Sequence, residues 1–187
     1  MKLTKAALKK HLKQLNHDQL SELLLECFSV HKDVEKFLSV KLLGSDAAIE
    51  LFPEYRKKVE NEFFPERGNP KLRLKEAKKA ISDFEKLTGD RLLALELRFV
   101  YVENGIQFTR NYGDIGGSFD NSIVSVFGDI VREINEIGSE ELFKEEYEER
   151  IKQILSRATG TSWGLEEGLH DWSGHLGWMD WDEAQES

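Results

Sequence analysis

One stretch constrains the fold more than any other. Between residues 91 and 111 apolar side chains fall on nearly every side of a helix: Leu92, Leu93, Leu95, Leu97, Phe99, Val100, Val102, Ile106 and Phe108. A helix of this kind cannot face water on any side and has to be sheathed by other elements. The β-branched and aromatic residues of Leu97–Val102 would also suit a strand. Glu96, Arg98 and Glu103 do not alternate as a half-buried strand requires, so the segment reads as a central helix.

The flanking sequence supplies the sheath, as stripes of helical period. Leu8, Leu12 and Leu15 open the chain. Asn16 and Gln19 then form a capping-box pattern ahead of Leu20, Leu23, Leu24, Cys27 and Phe28. Val34, Phe37, Leu38 and Leu42 mark a third helix; Gly44 stops it and Ser45 can cap the next. Pro53 either starts a new helix or kinks a continuous one that runs through Val59 and Phe63. After the Glu66–Pro70 loop come Leu74, Ala77, Ile81, Phe84 and Leu87, then Gly89 and a capping Asp90. Ser118 is expected to cap the stripe Phe119, Ile123, Val126, Phe127, Ile130, Val131 and Ile134. Gly138 ends it, and Ser139 opens a stripe of Leu142, Phe143, Tyr147, Ile151 and Ile154.

The expected fold is therefore all-α, with seven to nine helices in antiparallel hairpins at 3–29, 32–65, 71–111 and 118–157. Each pair is close to the roughly 40 residues of a HEAT-type hairpin. The pairs share no repeated signature, so an irregular bundle and a short HEAT-like superhelix both remain open. A helical domain of residues 1–160 would carry a Trp/Gly-rich tail, 161–187, packed on the same domain and frayed at its end.

Composition narrows the class. With 40% hydrophobic and 33% charged residues, the chain has enough apolar surface to fold and is not a disordered segment. The lone cysteine, Cys27, permits neither an internal disulfide nor a Cys-based zinc site, and on its apolar stripe it reads as a small buried hydrophobe. No leader pattern and no uninterrupted membrane-length apolar run is visible, and a cytoplasmic protein is expected. The net charge of −9 is unevenly spread: residues 1–91 carry 19 bases against 15 acids, a balance of +4, and residues 92–187 carry 7 against 20, a balance of −13. Such a C-terminal half repels a phosphate backbone, whereas an N-terminal patch can still meet one.

Two phrases resemble a known family. They are Phe108-Thr109-Arg110-Asn111-Tyr112-Gly113-Asp114-Ile115, after the apolar helix, and the opening Met1-Lys2-Leu3-Thr4-Lys5-Ala6-Ala7-Leu8-Lys9-Lys10-His11-Leu12. With the order of helices, they resemble a bacterial family of uncharacterised small helical proteins, a domain of unknown function, over residues 1 to about 157. The resemblance implies a helical protein of the bacterial cytosol and assigns no catalytic residue.

Candidate binding residues come from two places. The Tyr112–Gly117 loop offers Tyr112 and Asp114 on a glycine-rich turn, where Asp114 could bind a cation or simply bond backbone amides. No Gly-Lys-Ser/Thr follows, so it is not a phosphate loop of the usual kind. The tail gathers Trp163, Trp172, Trp178 and Trp181 among glycines. Tryptophans dominate binding hot spots but equally make a flap over the end of a bundle. His170 and His175, five residues apart, do not share a helical face, and no metal or other cofactor is called for.

Basic residues form two clusters. The first includes Lys5, Lys9, Lys10 and Lys13; the second is Lys71, Arg73, Lys75, Lys78 and Lys79. Each is either a solvated helix face or a contact for phosphates. No nucleophile elbow is present. The sequence thus favours a non-catalytic protein-interaction module, an adaptor or regulator whose partner is another protein or a second copy. The alternatives are a nucleic-acid-associated protein using the N-terminal lysines and an enzyme with a site near residues 112–117.

Overall fold

The computed structural model describes residues 2–137 and 140–178. Among them are nine α-helices and no strand: α1 (Lys5–Leu12), α2 (His17–Val30), α3 (Lys32–Leu43), α4 (Ser45–Phe63), α5 (Leu74–Thr88), α6 (Arg91–Tyr112), α7 (Gly117–Ile137), α8 (Glu140–Ala158) and α9 (Trp163–Ser173). The all-α reading holds. No described helix is long and apolar enough to cross a membrane.

Local chemistry explains most helix ends. Asn16 accepts from the Gln19 amide while the Gln19 side chain accepts from the Asn16 amide, so the capping box forms. Asp90 accepts from the Leu93 amide and caps α6. Two expected caps differ. The α4 and α7 helices begin at Ser45 and Ser118's neighbour Gly117, because the carbonyls of Gly44 and Gly116 accept the first helical bonds. Pro53 lies inside α4, which is continuous. The expected break at Gly138 and Ser139 lies outside the described residues.

Contacts divide the chain into two compact units, Met1–Leu51 and Phe52–Ser187. In the second unit α6 is the centre. Helices α5, α7 and α8 pack on it, and α9 packs on α7 and α8. Leu95, Leu97, Phe99, Tyr101, Val102 and Ile106 on α6 are essentially inaccessible. Rings from neighbouring helices close around them: Phe63 meets Tyr101 edge-on at 5.2 Å, and Phe99 stacks on Tyr147 at 5.0 Å. Burial pushes the Tyr101 phenol up to about 12, against a small opposing pull from its hydrogen bond with Ser122.

The polar residues of α6 are paired. Arg150 donates to Glu103 and Glu96, both at 2.6 Å, and lies over the Phe99 ring. Arg98 donates from Nη2 to Glu85 at 2.7 Å. Glu62, nearly buried at the end of α4, accepts from the Arg73 amide and guanidinium and so fastens the 64–73 loop. Burial alone would raise its pKa, but those hydrogen bonds and the charges of Arg73 and Lys71 outweigh it and hold the carboxyl below its ordinary value.

The tail contains a helix that periodicity did not reveal. Gly164, Gly168 and Trp163 make α9 a poor helix by propensity, but close packing overrides that. A Cβ on Gly168 would lie 2.8 Å from the Val124 side chain, and one on Gly128 of α7 would lie 2.5 Å from the Trp172 ring. Leu165, Leu169 and Leu176 are buried beside these contacts.

The first unit is built differently. Helices α2 and α3 pack together, yet α1 and α2 bury no residue and α3 buries Val40 alone. Leu20, Leu23, Leu24 and Phe28, the stripe of α2, are exposed, and Cys27 is half-buried.

Candidate functional site

Four helix termini of the Phe52–Ser187 unit gather at one end. Arg110 Nη1 donates to the Arg157 carbonyl at 3.0 Å, tying the end of α6 to the end of α8. Ser162 Oγ donates to Asp120 Oδ2, tying the start of α9 to the start of α7. The 113–116 and 159–162 connections lie between these ties. The Asp120 carboxylate is only 4% exposed, and its Oδ1 has no hydrogen-bond partner among the described residues. It faces the first turn of α9, whose unbonded amides favour a negative charge. A Cβ on Gly164 would stand 3.9 Å from Oδ2.

This end presents aromatic surface to solvent. Trp163 is 79% exposed, Tyr112 61%, and Ile115 is also open. The Tyr112 ring leans on Phe108 at 4.5 Å, which holds it in place. Asp114 accepts from the Gly116 amide at 2.7 Å and shapes the turn.

The other tail residues lie apart from Trp163. Trp172 packs on Gly128 with Arg132 stacked 4.9 Å from its ring. Trp178 is half-buried, and Trp181 lies outside the described residues. His175 Nδ1 is 3.0 Å from the Asp171 carbonyl and its ring 5.4 Å from Trp172, so it supports the helix end. Of the described tryptophans, Trp163 lies at the same end as Tyr112 and Asp114.

The basic clusters separate as well. Lys5, Lys9, Lys10 and Lys13 are exposed on and after α1, with no acidic partner among the described residues. In the second cluster Arg73 pairs with Glu62 and Lys79 with Asp83, whereas Lys75 and Lys78 pair with no described acid.

Among the described residues, one uncovered apolar surface was not expected from the sequence. It is the α2–α3 hairpin, where Leu24 is 51% and Phe28 38% exposed, with Leu25, Val30, Phe37, Leu42 and Leu43 also open. Its periodicity reads as an ordinary core-facing stripe. Nothing in the sequence separates it from a covered stripe, because the neighbouring segments carry apolar stripes of their own.

Neither a comparison with curated proteins nor one with solved structures finds a match. A family model does match residues 3–171, most of the chain, including the 108–115 phrase and the opening phrase from Leu3 onward. On that extent, the chain belongs to the family of unknown function DUF6155.

Proposed function

We propose that this chain is a non-catalytic protein-interaction module, an adaptor or regulator of the bacterial cytosol, that docks an amphipathic helix of a partner protein on α2. The observation that supports it is the exposed stripe Leu20, Leu23, Leu24 and Phe28. These side chains sit at the i, i+3, i+4 and i+8 positions of one helix face, the spacing by which helices pack on each other. Contiguous apolar surface of this kind marks interaction sites. The exposed Trp163 and Tyr112 give the second unit a smaller contact of the residue types enriched in hot spots.

The test compares three baits under nuclease treatment: the natural chain, Leu24→Asp/Phe28→Asp, and Trp163→Ala. A protein recovered in stoichiometric amount by the natural chain should be lost by the α2 variant and retained, at reduced yield, by Trp163→Ala. Equal recovery by all three, or none by any, would sink the proposal.

One observation favours a second reading, nucleic-acid association. Lys5, Lys9, Lys10 and Lys13 are exposed and unpaired among the described residues. This reading expects binding to RNA or DNA that weakens steeply with salt and falls when Lys9 and Lys10 are neutralised. Absence of binding at low salt would end it.

A further inference from the structure

Helices α5 and α7 both lean on α6, and a groove runs between them. Its wider part is a cavity of about 770 Å³ between the first turns of α5 and one face of α7. That volume falls within the roughly 300–1,000 Å³ of small-molecule sites. The α7 wall is a row of Ser118, Asn121, Ser122 and Ser125. Their i, i+3, i+4, i+7 spacing puts them on a single face. Each both donates and accepts hydrogen bonds, as a hydroxyl-bearing ligand requires. Ser122 is also held by the Tyr101 hydroxyl at 2.8 Å, which fixes its position.

The α5 wall is basic. Lys75 and Lys78, three residues apart, line the cavity and have no acidic partner among the described residues. Glu76 also lines it, with its charge acting on Arg73 and Lys79. The first turn of α5 borders the groove, but its Leu74 and Glu76 amides already donate to the Leu72 and Arg73 carbonyls and the Arg73 amide to Glu62, so the lysine side chains carry the positive charge of this wall. Farther along, Lys78 also borders a cavity of about 170 Å³ lined by Ser82 and Arg98. The Nη1 of Arg98 is buried there without a hydrogen-bond partner among the described residues.

We infer that the α5–α7 groove binds a small phosphorylated, hydroxyl-bearing molecule of the sugar-phosphate or ribonucleotide class. The phosphate sits against Lys75 and Lys78, and the ligand's hydroxyls lie along the α7 serines. Leu72 and Leu74 give the non-polar faces of the ligand a surface to rest on. A net-acidic chain disfavours a long polyanion in the same place, and the cavity's volume suits one small molecule.

The experiment is calorimetric titration of the full chain with glucose 6-phosphate, fructose 1,6-bisphosphate, AMP and GMP, then glucose, adenosine, inorganic phosphate and a single-stranded RNA. At least one organic phosphate is expected to bind more tightly than its unphosphorylated form and than inorganic phosphate. Lys75→Gln/Lys78→Gln should weaken it roughly tenfold or more, the scale of losing a charged hydrogen bond. Ser125→Ala should weaken it by a smaller factor and leave inorganic phosphate unchanged. Lys86→Gln/Lys144→Gln, which removes the same charge elsewhere, should do nothing. Circular dichroism of each variant separates loss of binding from loss of fold. The inference is overturned if no organic phosphate binds, if the unphosphorylated forms bind as well, if inorganic phosphate binds as tightly, if RNA is the tighter ligand, or if the folded Lys75/Lys78 variant binds unchanged.

Discussion

Helices α2 and α7 carry the same kind of message and meet different fates. Both present apolar residues at helical spacing: Leu20, Leu23, Leu24, Cys27 and Phe28 on one, Phe119, Ile123, Val126, Phe127, Ile130, Val131 and Ile134 on the other. Every member of the α7 stripe is buried, whereas four of the five on α2 are exposed and Cys27 is half-buried. The difference lies in what each helix faces. Helix α7 has α6 on one side and α9 on the other. Helix α2 has α3, whose own apolar residues Phe37 and Leu42 are turned to solvent. Periodicity fixes which side of a helix is apolar; burial needs a second surface in the same chain.

Truncating one ring on each helix tests this most directly. Phe127→Ala empties a fully enclosed site and should cost about 3–5 kcal/mol, through lost transfer energy and the cavity left behind. Phe28→Ala should change stability by about 0.5 kcal/mol or less, because its ring is already partly hydrated. Chemical denaturation followed by circular dichroism measures both. A loss for Phe28→Ala comparable to that for Phe127→Ala would mean that the α2 stripe is covered in solution, and the contrast between the helices would vanish.

Gly128→Ala sharpens the α7 side. The added methyl would overlap the Trp172 ring, and relief requires α9 to shift away from α7. Overpacking of this sort costs about 1–3 kcal/mol. Tryptophan fluorescence should report a more hydrated indole, and amide exchange over 163–173 should quicken while α6 stays protected. Uniform exchange changes throughout the unit would show that α9 is not separable from the core.

A smaller effect comes from Glu62. Its pKa is depressed in the folded chain, so it binds a proton more weakly than in the unfolded chain. Its contribution is therefore full above the ordinary carboxylate value of 4.5 and is lost as pH falls through the lower folded value. Glu62→Gln should lower stability at neutral pH by about 1–2 kcal/mol, within the range for charged hydrogen bonds with one exposed partner. The gap between the natural and variant chains should narrow in acid. A gap that widens as pH falls would mean the carboxylate is not held by Arg73.

The legible parts of the fold were those whose cause is local. The α2 capping box, the Asp90 cap and the all-round apolarity of α6 appear in sequence and structure alike. What was not legible depends on close approach between distant segments. Nothing local foretells that Gly168 has to meet Val124, so α9 is hidden by its own weak propensity. The groove was half-legible: the bases at 71–79 stand out in the sequence, but the serines opposite them belong to a helix some forty residues away. Of the tail tryptophans, composition gave the cluster and not its division into packed and open rings.

That division supplies the smallest and most selective effect. Trp163 and Trp172 lie on the same helix, yet Trp163 is 79% exposed whereas Trp172 rests on Gly128 beneath Arg132. A surface ring contributes little to folding, so Trp163→Ala should alter stability by no more than about 0.5 kcal/mol. Trp172→Ala removes a packed aromatic and a cation–π contact and should cost several times as much. Thermal unfolding of the two variants side by side reads the difference. Near-equal losses would make the whole tail a structural cover and remove Trp163 from the contact surface. A silent Trp163→Ala that still lowers partner recovery would instead assign that ring to recognition, because its loss then acts on binding and not on the fold.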